Sequence, residues 1–171
     1  MAPAVAEREP LFLTKNSIPP STRSQLVTLL NQSLADCIDL QLQAKVAHWN
    51  IKGLNFIALH ELFDKINASV AEYADLIAER AVQLGGVAQG TARTVAARTR
   101  LEEYPTNIGM VRHHVEALSA ALAAFGVRVR RAIDDAASLD DPGTADLFTE
   151  VLRGLDKSLW FVEAHLQSEL A

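Results

Sequence analysis

Residues 48–86 read HWNIKGLNFIALHELFDKINASVAEYADLIAERAVQLGG. From about Asn55 to Leu84 this stretch has the period of one long helix. Leu59, Leu62, Phe63, Ile66, Val70, Tyr73, Ile77 and Leu84 form its apolar stripe. Asn55 is placed to cap it and Gly85-Gly86 to end it. Four side chains able to bind metal recur along the same helix: His60, Asp64, Asp75 and Glu79. A fifth, His48, lies just upstream beside Trp49.

Helix geometry tests whether these groups can act together. At about 100° per residue, with His60 as zero, Asp64 lies near 40°, Asp75 near 60° and Glu79 near 100°. All four share one stripe. Asp64 and Asp75 are nevertheless eleven residues apart, about 16 Å along the axis. Metal–ligand bonds of about 2.0–2.6 Å cannot span that gap. The pairs His60/Glu79 and Asp64/Asp75 have the same midpoint, between Ser69 and Val70. Two copies of the helix crossing antiparallel about a two-fold axis there would set His60 against Glu79 of the second copy. Asp64 would meet the second copy's Asp75. The result is two identical sites, each shared between subunits, as an isologous dimer requires. The bland reading of each carboxylate is a solvated helix face, and that of His60 alone a hydrogen-bonded histidine. The common stripe and the matched midpoints point instead to a metal site at a subunit interface.

The chain has 171 residues, which suits one domain, and a domain of that size buries enough surface to dispense with disulfides. Hydrophobic residues make up 49% and charged residues 22%, an ordinary globular composition. Cys37 is the single cysteine, so no disulfide forms within the chain and a reducing cytoplasm fits. No apolar run approaches the length of a membrane span, and the first residues lack the basic start and apolar core of a secretory signal. A net charge of −5 argues against a surface built for nucleic acid.

Residues 1–20 hold Pro3, Pro10, Pro19 and Pro20 and show no sustained period, which predicts a flexible, extended arm ahead of one domain over 21–171. A first long helix is expected from Ser21 or Thr22, where Thr22 and Gln25 have capping-box spacing, to about Ile51, with Gly53 as its stop. After the His60 helix come about twenty residues without a strong pattern, of which Thr91–Arg100 can hold a short helix. A third long helix is expected from Thr106 or Asn107, carried by Ile108, Val111, Val115, Leu118, Leu122, Phe125, Val129 and Ile133. Leu139–Gly143 reads as a turn. A fourth long helix then starts at about Thr144 and runs through Leu147, Val151, Leu152, Leu155, Leu159, Val162 and Leu166. No strand period appears. The expected fold is all-α: a ferritin-like four-helix bundle with a long crossover between the second and third long helices, carrying a short helix.

Other chemistry is sparse. The Glu-x-x-His motif of metal sites inside such bundles is missing, since Glu163 and His165 are two apart. A bundle without an internal site pushes any metal to an interface. The adjacent His113 and His114 face different ways on their helix and read as surface or interhelical hydrogen-bonding groups. Gly85-Gly86 follows a helix and so is no phosphate loop. Asp134, Asp135, Asp140, Asp141 and Asp146, with Glu150 one turn after Asp146, form an acidic region. The bland reading, a solvated turn and a helix start, is the one composition favours; the sharper one is an acidic pore that attracts cations.

The chain resembles the Dps family, the DNA-protection-during-starvation mini-ferritins. The resemblance is carried by His48-Trp49-Asn50, Gly53, Asn55-Phe56, His60, Asp64, Asp75 and the run Ala78-Glu79-Arg80-Ala81-Val82-Gln83-Leu84-Gly85-Gly86. Tyr104-Pro105, Thr144-Ala145-Asp146, Leu155-Asp156-Lys157 and Leu159-Trp160-Phe161 add to it, so that it covers about residues 20–168. It implies a cytoplasmic, hollow homododecamer that oxidises Fe(II), with hydrogen peroxide as oxidant, and stores the Fe(III) mineral, protecting DNA from oxidative damage. It implies ferroxidase sites in which His48, His60 and Asp64 of one subunit meet Asp75 and Glu79 of its neighbour, with Trp49 beside them. It also implies acidic three-fold pores, which map onto Asp146 and, with less support, Glu150.

One departure concerns DNA. Many members carry a lysine-rich arm that binds DNA, whereas residues 1–20 hold Arg8 and Lys15 against Glu7 and Glu9. Twelve copies at −5 each carry −60. Weak or absent DNA binding is therefore expected. Two other readings stand beside the iron ferroxidase: a DNA-compacting structural shell with a secondary metal site, and a helical interaction module whose carboxylates are surface charge.

Overall fold

The computed structural model describes residues 10–167. Among these there are five helices and no strand: α1 (Pro20–Asn50), α2 (Phe56–Gln83), α3 (Ala92–Arg98), α4 (Val111–Ser138) and α5 (Pro142–Glu163). The long helices pack as two antiparallel hairpins, α1 with α2 and α4 with α5, closed by α1 on α4 and α2 on α5. The crossover from α2 to α4 carries α3 along α1. This is a ferritin-like four-helix bundle.

The apolar stripes meet along the bundle axis. Phe63, Phe125 and Phe148 lie at its centre with Leu26, Leu30, Leu40, Leu59, Ile77, Leu118 and Leu122, all fully buried. Burying each such side chain contributes roughly 1.5–3 kcal/mol, which is what holds helices together that propensity alone would leave marginal.

Part of the inward face of α1 is polar. Asn31, Asp36 and Gln43 are buried, and each holds the crossover. Asn31 donates to the Val87 carbonyl at 3.0 Å and accepts from the Gln89 N–H at 2.9 Å. Asp36 accepts from the backbone N–H of Arg100 at 2.8 Å and from its guanidinium at 3.0 and 2.5 Å. Gln43 donates to the Glu102 carbonyl at 2.9 Å. A crossover with little regular structure has unpaired backbone groups, and these side chains satisfy them.

Several helix ends depart from expectation. α1 begins at Pro20 without a side-chain cap, because proline at the first turn has no N–H to satisfy and the right φ already set. Asn55 precedes α2 but does not cap it with its side chain. It adopts a left-handed conformation, φ 66°, and so turns the chain into the helix. α4 starts at Val111, later than Thr106, although Ile108 still packs on the core. α5 starts at Pro142, so the turn spans less than Leu139–Gly143, and Asp141 is the cap, accepting from the Gly143 N–H at 3.1 Å.

Residues 10–19 are non-helical and fastened to the bundle. The Phe12 N–H donates to the Gly85 carbonyl at 2.7 Å. Arg23, buried under this segment, donates to the Leu84 carbonyl at 2.8 Å and the Ile18 carbonyl at 3.1 Å. Gly85 has φ +87° and lies so close to Phe12 that a Cβ would fall 2.5 Å from its carbonyl oxygen, so only glycine fits there. The part of the expected arm at residues 1–9 lies outside the described residues.

Candidate metal centre

The end of α1 and the start of α2 are joined by a short loop. Gly53 turns it with φ +102°. The loop brings His48, in the last turn of α1, against His60, in the second turn of α2. The rings stack with centroids 3.7 Å apart and planes at 23°. His48 Nδ1 lies 2.7 Å from the His60 carbonyl oxygen, and His60 Nδ1 lies 2.8 Å from the His48 carbonyl oxygen. A carbonyl oxygen only accepts, so each Nδ1 carries the proton. In the neutral rings each Nε2 then keeps its lone pair, the state in which imidazole binds metal. Phe56 tilts against His60 at 5.0 Å and closes that side.

Asp64 sits one turn beyond His60, half-exposed, and receives a hydrogen bond from the ammonium of Lys45, which sits nearly one turn before His48. That bond holds the Asp64 carboxyl below its ordinary value, against partial desolvation and assisted by the charges of Lys45, His48 and His60. Lys45 was not among the residues singled out from sequence. Its i, i+3 relation to His48 puts both on one face of α1, but its partner on α2 is set by the hairpin's packing.

Asp75 and Glu79 lie further along α2, both exposed and both on the stripe of His60 and Asp64. Among the described residues of a single chain, no three His, Cys, Asp or Glu side chains gather closely enough to hold an ion. The chain therefore presents two half-constellations on one helix. The first is two imidazoles and a carboxylate; the second, two carboxylates. Trp49 is 65% exposed next to His48, and Leu42, Leu76 and Val82 are exposed on α1 and α2 as well.

Asp146 and Glu150 are exposed on α5, one turn apart. Asp146 lines an open cleft with Asp140 and Thr149 at the turn between α4 and α5. Asp141, from the same acidic region, has a different role. Its carboxylate pairs with both oxygens to the Arg80 guanidinium, each at 3.0 Å, and accepts from the Thr144 hydroxyl. Arg80 Nε also donates to Thr144 at 3.0 Å. Burial pushes the Asp141 carboxyl up, but the hydrogen bonds from Thr144 and Arg80 and the Arg80 charge outweigh it, so its net shift is downward. The residue after Glu79 is thereby tied to the start of the helix that carries Asp146.

His114 is buried, not on the surface, and its Nδ1 bonds the Tyr104 hydroxyl at 2.7 Å across the end of the crossover. It faces away from His113, which is exposed.

A model of the ferritin-like domain matches residues 27–170. The DNA protection during starvation protein of Agrobacterium fabrum is 47% identical over 156 residues, covering 91% of this chain and 96% of that protein. The protein of the same name from Mycolicibacterium smegmatis is 34% identical over 145 residues, covering 85% of this chain and 79% of that one. Among solved structures, DpsC from Streptomyces coelicolor superposes with a TM-score of 0.90 at 32% identity, over 98% of both chains. The Dps of Mycobacterium smegmatis gives 0.87 at 32% identity, over 91% of this chain and 95% of that one. With the bundle and its long crossover shared, and nearly half the residues identical to a Dps protein along almost its whole length, the chain belongs to the Dps family of ferritin-like proteins.

Proposed function

We propose that the protein is an iron-oxidising and iron-storing Dps shell whose Fe(II) sites lie between two-fold-related subunits. His48, His60 and Asp64 of one subunit supply one side of each site, and Asp75 and Glu79 of a second copy supply the other. The observation that carries this reading is the stacked His48–His60 pair. Both Nδ1 atoms are committed to backbone carbonyls, which leaves both Nε2 lone pairs for a metal beside the Asp64 carboxylate. Imidazole and carboxylate together suit Fe(II). The exposed apolar side chains on the outer faces of α1 and α2 suit cover by another copy.

Fe(II) is the substrate. Two Fe(II) ions each give up one electron, and the O–O bond of hydrogen peroxide takes both and breaks to two hydroxides. Fe(III) then hydrolyses and mineralises inside the closed shell. Removing Fe(II) and peroxide together suppresses hydroxyl-radical chemistry, and so protects DNA without binding it. Trp49, next to His48 in the chain and 65% exposed, is the proposed aromatic neighbour of the site. The acidic Asp146 and Glu150 are the proposed entry for Fe(II).

His60→Ala or Asp64→Ala is expected to slow Fe(II) oxidation at least tenfold, and so is the double replacement of Asp75 and Glu79. When the two kinds of defective subunit are mixed and reassembled, part of the activity should return, because some interfaces then pair intact halves. Confirmed mixed shells without recovery would show that the site is not shared.

A further inference from the structure

Lys45 places a cation on the one carboxylate that stands beside the two histidines. Its ammonium donates to Asp64 across the α1–α2 hairpin, one rung along from the stacked histidines. The pair is accessible, with 30% of the Lys45 side chain and 48% of Asp64 exposed, so the lysine can swing out on its four-carbon stem. We propose that Lys45 sets the divalent-metal affinity of the site. It occupies Asp64 until a divalent ion displaces it, and it sets the charge that the ion meets. The inference rests on the shared-site reading of the preceding subsection.

The charges make the role concrete. Asp64, Asp75 and Glu79 would bring −3 to a shared site, and Lys45 reduces that to −2. A net −3 would bind every divalent ion more tightly and would also retain the Fe(III) product, which must leave for the mineral. An ammonium displaced to about 8 Å from a divalent ion in a water-like medium still repels it, and the exposed ion pair must first be broken. Together these weaken divalent binding by about tenfold. Lys45 is the cation whose ammonium reaches the Asp64 carboxylate.

The test is anaerobic titration of the assembled, metal-free protein with Zn(II), which binds the same donors without redox chemistry, followed by calorimetry. Lys45→Met keeps the apolar stem and removes the charge; Lys45→Arg keeps the charge. Lys45→Met should bind Zn(II) about tenfold more tightly than the unaltered protein, and Lys45→Arg within about twofold of it. With single-turnover Fe(II) oxidation, Lys45→Met should release Fe(III) from the site more slowly. Equal Zn(II) affinity in the unaltered protein and Lys45→Met, with the site occupied in both, would overturn the role of Lys45 and leave the shared site standing. Equal tightening in Lys45→Met and Lys45→Arg would overturn it too, since the charge would then be irrelevant. Zn(II) binding that survives loss of both His60 and Asp64 would overturn the site reading itself.

Discussion

Replacing Asp141 should cost the bundle stability in two places. Besides the hydrogen bond from the Thr144 hydroxyl, Asp141→Ala removes two larger contributions. The first is the cap of α5, where the carboxylate accepts the Gly143 N–H at 3.1 Å; loss of a cap costs about 1 kcal/mol. The second is the two-oxygen pairing with Arg80, whose side chain is only 18% exposed while that of Asp141 is 4% exposed. Breaking a buried pair costs about 3–5 kcal/mol when the remaining charge is stranded. Arg80 is not fully stranded, because Thr144 and Gln83 still accept from it and water reaches one side. The sum comes to about 3 kcal/mol, or about 6–12 °C in Tm for a chain of this length. Asp141→Asn keeps a cap acceptor and loses only the charge, so it should cost about half as much. Guanidinium unfolding at matched subunit concentration measures both, since assembly adds to apparent stability. The pH dependence has a definite sign. The folded carboxyl lies below its ordinary value, so the stabilisation is complete above the unfolded carboxylate value of about 3.9 and is lost as pH falls through the folded one. Asp141→Ala costing under about 1 kcal/mol, or Asp141→Asn costing more than Asp141→Ala, would refute the reasoning.

His114 gives a second pH test. Burial first, then the nearby charges of His113 and Lys52, lower its value, and its Nε2 is buried without a partner. The unfolded chain therefore takes up a proton more readily than the folded one, so stability should decline as pH falls below about 6.5. His114→Gln should show a shallower decline between pH 7 and 5.5 by chemical denaturation, and an unchanged slope would exclude His114 as the cause. Asp146→Asn should slow iron entry into the cavity about two- to fivefold at low salt while leaving oxidation at the histidine sites intact; uptake kinetics equal to those of the unaltered protein would return Asp146 to a solvated helix start. In a gel-shift titration near 0.15 M salt, the metal-free shell should leave duplex DNA unbound, because Arg8 and Lys15 are offset by Glu7 and Glu9 and the chain carries −5. Tight retention of DNA would refute this, and deleting residues 1–20 would then show whether the arm holds it.

What the sequence determined by itself was what depends on local period. The stripes of α2, α4 and α5 repeat at three and four residues, so those helices and the all-α class could be read from spacing, as could the common face of His60, Asp64, Asp75 and Glu79. The single long crossover followed from the gap between patterns. What the tertiary structure decided was whatever depends on partners far along the chain. Asp36 on α1 looks like an error in an apolar face until Arg100, 64 residues away, is brought against it. Asp141 reads as one more acidic turn residue until Arg80, 61 residues earlier, lies beside it. Lys45 gains its meaning only when α1 packs antiparallel on α2 and puts its ammonium on Asp64. A helix fixes angles between its own residues because its geometry is constant. It leaves open which residues face it, and a buried charge is stable only where the fold delivers its counterpart.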